Sequence, residues 1–258
     1  MADTEAAVVL AARDARGVVT LTLNRPRVMN ALSEAMLATL KAELAAIASD
    51  PSVRVVVIGG AGKAFSAGHD LKEMRASPSL DYYRGLFAAC SAVMLAIRDL
   101  PVPVIARVHG IATAAGCQLV AQCDLAVAAS DARFAVSGVN YGLFCSTPSV
   151  ALSRNVGRKQ AMEMLLTGDF IDAGEALARG LVNRVAAPDA LDAAVEDLVA
   201  RIVAKAPAAV RIGKAQFYRQ IEAGVVDAYA IASEAMARNM MDEAALDGVQ
   251  AFIDKRKP

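Results

Sequence analysis

The sequence predicts an α/β chain followed by a helical C-terminal part. Three observations predict it. Short β-branched runs, "VRVVVIGG" and "PVPVIARVHG", read as strands buried on both faces. Segments with apolar residues at helical spacing alternate with them. From Pro148 onward the pattern is helical to the C-terminus. An apolar fraction of 56% over 258 residues suffices for a packed core. No internal repeat or low-complexity linker divides the chain. One continuous unit is expected, with an α/β core over about 1–195 and a helical region over about 196–258.

Each element has its own signal. "AAVVLAA" and "GVVTLTL" flank the polar turn "RDARG" and read as two joined strands. In "SEAMLATLKAELAAIASD", Met36, Leu37, Leu40, Leu44 and Ile47 fall on one helical face, and Ser33 is placed to cap it. "VRVVVIGG" follows as a buried strand. "AGKAFSAGHDLKEM" is a small-residue loop entering a polar, helix-compatible segment. "LDYYRGLFAACSAVMLAIRDL" reads as a long helix and "PVPVIARVHG" as the next strand. "GIATAAGCQLVAQCD" reads as a short turn and a helix. "DLAVAAS" and "RFAV" are short strands. Then come "SVALSRNVG", "KQAMEMLLTG", "AGEALARG" and three long Ala-rich helices.

Charge and composition exclude several classes. Lys+Arg and Asp+Glu are equal at 27 each, so nothing electrostatic calls for nucleic acid or an anionic membrane as partner. No uninterrupted apolar run approaches the ~20 residues of a membrane span. The acidic start "MADTEAAVV" has neither the basic and apolar regions of a signal peptide nor the Arg-rich character of a transit peptide. Four cysteines without C-x-x-C read as free thiols in a reducing compartment, so a cytoplasmic location is expected. Two histidines and no H-E-x-x-H give no metal site.

Familiar motifs fail on inspection. "GGAGKAF" lacks the P-loop's first glycine and its hydroxyl, which would fall on Val57 and Ala64. "AFSAG" carries Ala64 where a nucleophile elbow needs glycine, so Ser66 is a poor nucleophile. No G-x-G-x-x-G follows a strand.

Two segments share a design. "SAGHD" (Ser66 to Asp70) and "ATAAGCQ" (Ala112 to Gln118) each follow a buried strand and enter a helix-compatible stretch. Small side chains let a ligand approach the backbone, and helix starts leave N–H groups without partners. Side by side, two such loops can aim two N–H groups at one oxygen. The plainer reading is a pair of tight strand-to-helix turns.

The chain resembles the enoyl-CoA hydratase/isomerase (crotonase) superfamily. The resemblance runs through "LTLNRPRVMNAL", "AFSAGHDLKEM", "PVPVIARVHGIATAAGCQLVAQCDLAVAA", "MEMLLTGDFIDAGEALARGLVN" and "FIDKRKP", nearly the whole length in order. It implies a spiral of ββα units, a C-terminal helical trimerisation region, an acyl-CoA thioester ligand and no separate cofactor. A homotrimer or dimer of trimers is expected. By similarity, the backbone N–H groups of His69 and Ala115 hold the thioester oxygen. Ser66, His69, Asp70, Leu71 and Lys72, with Arg27, Val28, Ala115 and Gly116, line the substrate channel. Lys255, Arg256 and Lys257 either reach CoA phosphates or form a solvated tail.

The departures from the family pattern carry the functional reading. Hydratases of this family use two glutamates around a water. Here those positions fall on Gln118 and Gly138. An amide orients water but exchanges no proton at neutral pH. General acid–base help is worth about 10²–10⁴-fold per group, so ordinary hydration is expected to be weak or absent. "VNYGLFCSTP" (Val139 to Pro148) also departs from the hydratase loop. With "HGIATAAGCQLVA" it resembles most the subgroup called enoyl-CoA hydratase domain-containing protein three. The His69 imidazole, Cys145 and Ser146 are the remaining groups that could act, though no base stands beside Cys145 or Ser146. A buried, inert thiol is the plainer reading of Cys145. Tyr141 is placed at the acyl end. Three functions stay open: an acyl-CoA enzyme labelled as a hydratase, a decarboxylase or thioesterase-like enzyme using the same N–H pair, and a non-catalytic acyl-CoA-binding protein.

Overall fold

The computed structural model describes residues 7–255. The start of the acidic N-terminal segment, and Arg256 and Lys257 of the basic tail, lie outside the described residues. Among the described residues nine strands form in chain order: β1 (Val9–Arg13), β2 (Val18–Leu23), β3 (Val55–Gly60), β4 (Val104–Val108), β5 (Ile111–Thr113), β6 (Leu125–Ala129), β7 (Arg133–Ala135), β8 (Ile171–Asp172) and β9 (Arg184–Ala186). The large sheet runs β1-β2-β3-β4-β6-β9 and the small one β5-β7-β8. Only β1 is antiparallel to its neighbour in the large sheet; the other pairings there are parallel. β3 and β4 are covered on both faces, which is why their sequences are almost wholly apolar.

The helices are α1 (Glu34–Ala48), α2 (Leu71–Ala76), α3 (Leu80–Asp99), α4 (Ala115–Gln122), α5 (Ser146–Asn155), α6 (Arg158–Thr167), α7 (Ala173–Ala178), α8 (Leu191–Val203), α9 (Pro207–Gln220), α10 (Val225–Met240) and α11 (Glu243–Ile253). In α1 the Ser33 side chain accepts from the Met36 N–H, and Met36, Leu37, Leu40, Leu44 and Ile47 are buried, as their spacing predicts. By length and composition alone, α3 could cross a membrane. In the fold its stripe of Leu86, Cys90, Val93, Met94 and Ile97 packs into the core.

The chain climbs as a spiral. Each turn places a strand in the large sheet, then a short extended piece in the small one, then a helix. β4, β5 and α4 make one turn; β6, β7 and α5 make the next. The β3 turn has a single bridge, Ser66 with Ala112, in place of a short strand, and Leu32 pairs likewise with His69. These bridges stack the loop starts at one end of the spiral.

The structure corrects three sequence expectations. Ile111–Thr113 is a strand, where a simple turn was expected. The stretch after Pro148 is interrupted by β8 and β9, which are too short to show periodicity. Four helices, α8 to α11, end the chain, where three were expected.

A buried ion pair ties α9 to the core. Lys214 Nζ donates to Asp124 at 2.7 Å and to the Ile97 and Val102 carbonyls at 3.0 and 2.9 Å. The same carboxylate accepts from the Val104 N–H and the Tyr218 hydroxyl. Burial pulls the Lys214 ammonium down from its ordinary value, and Asp124 opposes that shift. Beyond α9, the helices α10 and α11 expose Val225, Val226, Tyr229, Met236 and Phe252.

Candidate active site

The two small-residue loops meet. The Thr113 N–H donates to the Ser66 carbonyl at 3.0 Å, and the Thr113 hydroxyl donates to the Ala67 carbonyl at 3.0 Å. Gly116 lies against the Ser66 backbone so closely that an added Cβ would overlap the Ser66 carbonyl oxygen. Gly68 has φ +85°, and a Cβ there would stand 2.9 Å from the Thr113 oxygen and 3.1 Å from the Ala115 nitrogen. Glycine is therefore required at both contacts. The residue before α4, Ala114, has φ 49° and ψ −118°, strained for a residue with a Cβ. That turn points the first helical N–H of α4, on Ala115, out of the chain's own hydrogen bonding. Among the described residues, neither the His69 nor the Ala115 backbone N–H finds an acceptor.

Both residues line one cavity of 520 Å³. Ala67, Leu71, Met74, Phe87, Phe144 and Phe170 supply much of its apolar wall, and Gly138, Tyr141, Cys145 and Ser146 belong to it too. Among the described residues, no Asp, Glu, Lys or Arg lies in that wall. The His69 ring meets Phe87 edge-on at 5.5 Å. Neither ring nitrogen has a hydrogen-bond partner. Burial pushes the imidazole below its ordinary value of 6.5; the nearby Leu32 carbonyl pulls the other way, more weakly and outside hydrogen-bond geometry. The ring is therefore neutral at physiological pH.

The two departures from the family pattern sit differently. Gly138 is in the cavity wall, in a 3-10 turn over Ser137–Tyr141. Its N–H donates to Cys145 Sγ at 3.3 Å. A Cβ at 138 would overlap the Leu143 carbonyl oxygen and stand 2.8 Å from Sγ. This loop has no room for a glutamate as it stands. Gln118 lies one turn into α4; it is buried, its Oε1 has no partner, and it forms no part of the cavity wall. Burial raises the Cys145 thiol, with the Gly138 N–H opposing, so Cys145 is held as a thiol rather than a thiolate. Its neighbour Cys117 is pushed up to about 12. All four cysteines are free and buried.

Other expected site residues have structural partners. The Ser66 hydroxyl donates to the Asn30 carbonyl and accepts from the Gly68 N–H. Asp70 caps α2 through the Lys72 and Glu73 N–H groups and pairs with Arg25 at 3.0 Å. Those bonds hold its carboxyl below the ordinary range despite burial, the largest influence, which acts upward. Ser66 and Asp70 lie outside the cavity wall. Arg27 and Val28 form an exposed 3-10 turn. The Ala67 N–H to Met29 and Leu32 N–H to Gly68 bonds zip that segment to 66–70; of Arg27, Val28, Leu71 and Lys72, only Leu71 lines the cavity. Lys255 ends the described chain, exposed, just past α11. Sequence reasoning missed Met74, Phe87, Phe144 and Phe170. They are spread over two helices and two loops, and nothing in their spacing marks them.

This spiral, with its paired loops over an apolar cavity, defines a crotonase fold. The family model described as Enoyl-CoA hydratase/isomerase matches residues 13–258, and the chain belongs to that family. A solved enoyl-CoA hydratase from Mycobacterium smegmatis is 67% identical, with a TM-score of 0.96, covering 97% of this chain and 98% of its own. The mouse enoyl-CoA hydratase domain-containing protein 3, mitochondrial, is 46% identical over 95% of this chain and 82% of its own length. The solved human protein of that name is 44% identical, with a TM-score of 0.93, over 97% of this chain and 99% of its own. The chain falls in that subgroup. The cytoplasmic expectation is overturned by the same finding: the vertebrate relatives are named as mitochondrial proteins.

Proposed function

We propose that the protein binds acyl-CoA thioesters, with the thioester oxygen accepting from the His69 and Ala115 N–H groups, and that ordinary hydration of enoyl-CoA is weak or absent in it. One observation carries this reading: a cavity wall with two unspent backbone donors and no carboxylate. The donors polarise a thioester carbonyl and stabilise an enolate formed from it, an effect worth about 10²–10³ per donor elsewhere. Adding water across a double bond also needs a base for the water and an acid for the α-carbon. Gln118 is an amide, Gly138 has no side chain, the Cys145 thiol is held protonated, and the neutral His69 imidazole, the one remaining base of the wall, has no hydrogen-bonded partner to complete a pair. The CoA moiety lies across Arg27, Val28, Leu71 and Lys72, and α10 and α11 bury their apolar residues against further copies of the chain in a trimer. The relatives' mitochondrial location is the compartment proposed by likeness.

Calorimetric titration with butyryl-CoA and with its thioether analogue, which lacks the oxygen, tests the reading. The thioester binds more tightly if the two N–H groups hold its oxygen. Equal affinities, or no binding of either, contradict it.

A further inference from the structure

We propose that the cavity takes an uncharged, apolar acyl group of medium length, and that Phe170, held by Arg133, is the end wall that sets its length. This rests on the thioester reading above and goes beyond it to the substrate class.

The first support is charge. The wall contains no cationic side chain, and its one imidazole is neutral. An acyl group whose carboxylate ends short of Phe170, and so short of the Arg133 guanidinium behind it, would lose its hydration there and gain no counter-ion. Burying an unpaired charge is costly enough to weaken binding by about 100-fold or more. The same absence counts against decarboxylation, whose substrate carries a carboxylate into the site. Leu71, Met74, Phe87, Leu143 and Phe144 offer an apolar chain the surroundings it requires.

The second support is the small sheet, which measures the cavity. Thr113 pairs with Ala135, and Phe134 pairs with Ile171 in the next strand. Phe170 is one residue further along β8's approach, two strands from the turn that presents the Ala115 N–H. Two strand spacings are about 10 Å. An extended chain with bonds of about 1.5 Å advances about 1.25 Å per carbon along its zigzag, and so spans that distance in roughly eight carbons.

The third support is how Phe170 is held. It is 40% exposed, so packing alone does not fix it. The Arg133 guanidinium lies over its ring at 4.5 Å, and Arg133 makes no ion pair among the described residues. Cation–π stacking from outside keeps the ring against the cavity. On the other side, Asn140 Nδ2 donates to the Gly168 carbonyl at 3.4 Å, docking the 3-10 turn of the wall onto the same corner. Arg133 is thus a positioning residue.

Calorimetric titration with butyryl-, octanoyl- and hexadecanoyl-CoA, and with the six-carbon pair hexanoyl- and adipoyl-CoA, tests the proposal in the full chain. Octanoyl-CoA should bind best, and adipoyl-CoA about 100-fold more weakly than hexanoyl-CoA. Phe170→Ala should move the optimum to longer chains and Phe170→Trp to shorter ones. Arg133→Gln should broaden the preference in the Phe170→Ala direction, by a smaller step than Phe170→Ala itself. Equal binding of the six-carbon pair, or an optimum that neither Phe170 variant moves, overturns the proposal while the thioester reading stands. Failure of every acyl-CoA to bind the folded protein overturns both.

Discussion

Replacing Gly68 with alanine strikes the contact between the two loops while leaving the residues of both proposed donors unchanged. The backbone there has φ +85°, which costs an alanine about 1–2 kcal/mol. The new Cβ would stand 2.9 Å from the Thr113 oxygen and 3.1 Å from the Ala115 nitrogen, so the start of α4 and the 66–70 segment must separate by tenths of an ångström. Stability to urea should fall by about 2–5 kcal/mol, strain and crowding together. Hydrogen bonds to an uncharged oxygen are each worth about 0.5–1.5 kcal/mol net. A pair that no longer converges should therefore cost thioester affinity about 1–3 kcal/mol, roughly 5- to 150-fold. The thioether analogue makes neither bond, and its affinity should change little. Titration of butyryl-CoA and the thioether against both proteins reads the difference directly. A folded Gly68→Ala protein that keeps the full wild-type preference for the thioester would refute the reasoning, because the loop contact would then not set the donors.

Three further outcomes follow from the same geometry. Lys214→Met leaves the Asp124 carboxylate buried beside only Val104 and Tyr218, and should cost about 3–5 kcal/mol in urea unfolding; adding Asp124→Asn should recover part of it. The His69 imidazole is held below 6.5 in the fold, so the unfolded chain takes up its proton first as pH falls. Its stabilising contribution is full above 6.5 and is lost as pH drops toward the folded-state value; His69→Phe should lessen the fall of the urea midpoint as pH drops below 6.5. Gly138→Glu must push the Leu143 carbonyl aside and should destabilise by about 1–3 kcal/mol in thermal or urea unfolding, so it cannot restore an acid to this loop.

Much of the scaffold was legible where local signals agree. Ser33 and the spacing of Met36, Leu37, Leu40, Leu44 and Ile47 define α1 without tertiary information. The β-branched runs behave likewise for β3 and β4. Of the small sheet only β7 was legible, as "RFAV"; β5 and β8 were not, because strands of three and two residues carry no period. The meeting of "SAGHD" with "ATAAGCQ" could be suspected from composition, but the strained Ala114 could not, since alanine rarely takes that backbone conformation. Position 118 shows a further limit. Sequence places an amide there, but only packing shows that Gln118 stands outside the cavity wall. The aromatic wall was hidden because Phe87, Phe144 and Phe170 converge only in three dimensions.

The central claim is that this hydratase-family scaffold lacks the acid–base pair for hydration. The most direct test follows loss of the conjugated enoyl-thioester absorbance with crotonyl-CoA, with product masses recorded, for the wild type beside Gln118→Glu. The account predicts a wild type that binds crotonyl-CoA but hydrates it at least about 10²-fold more slowly than a relative with the glutamate pair. Hydration by the wild type at that relative's rate would contradict it, and would mean that another group in the cavity supplies the proton.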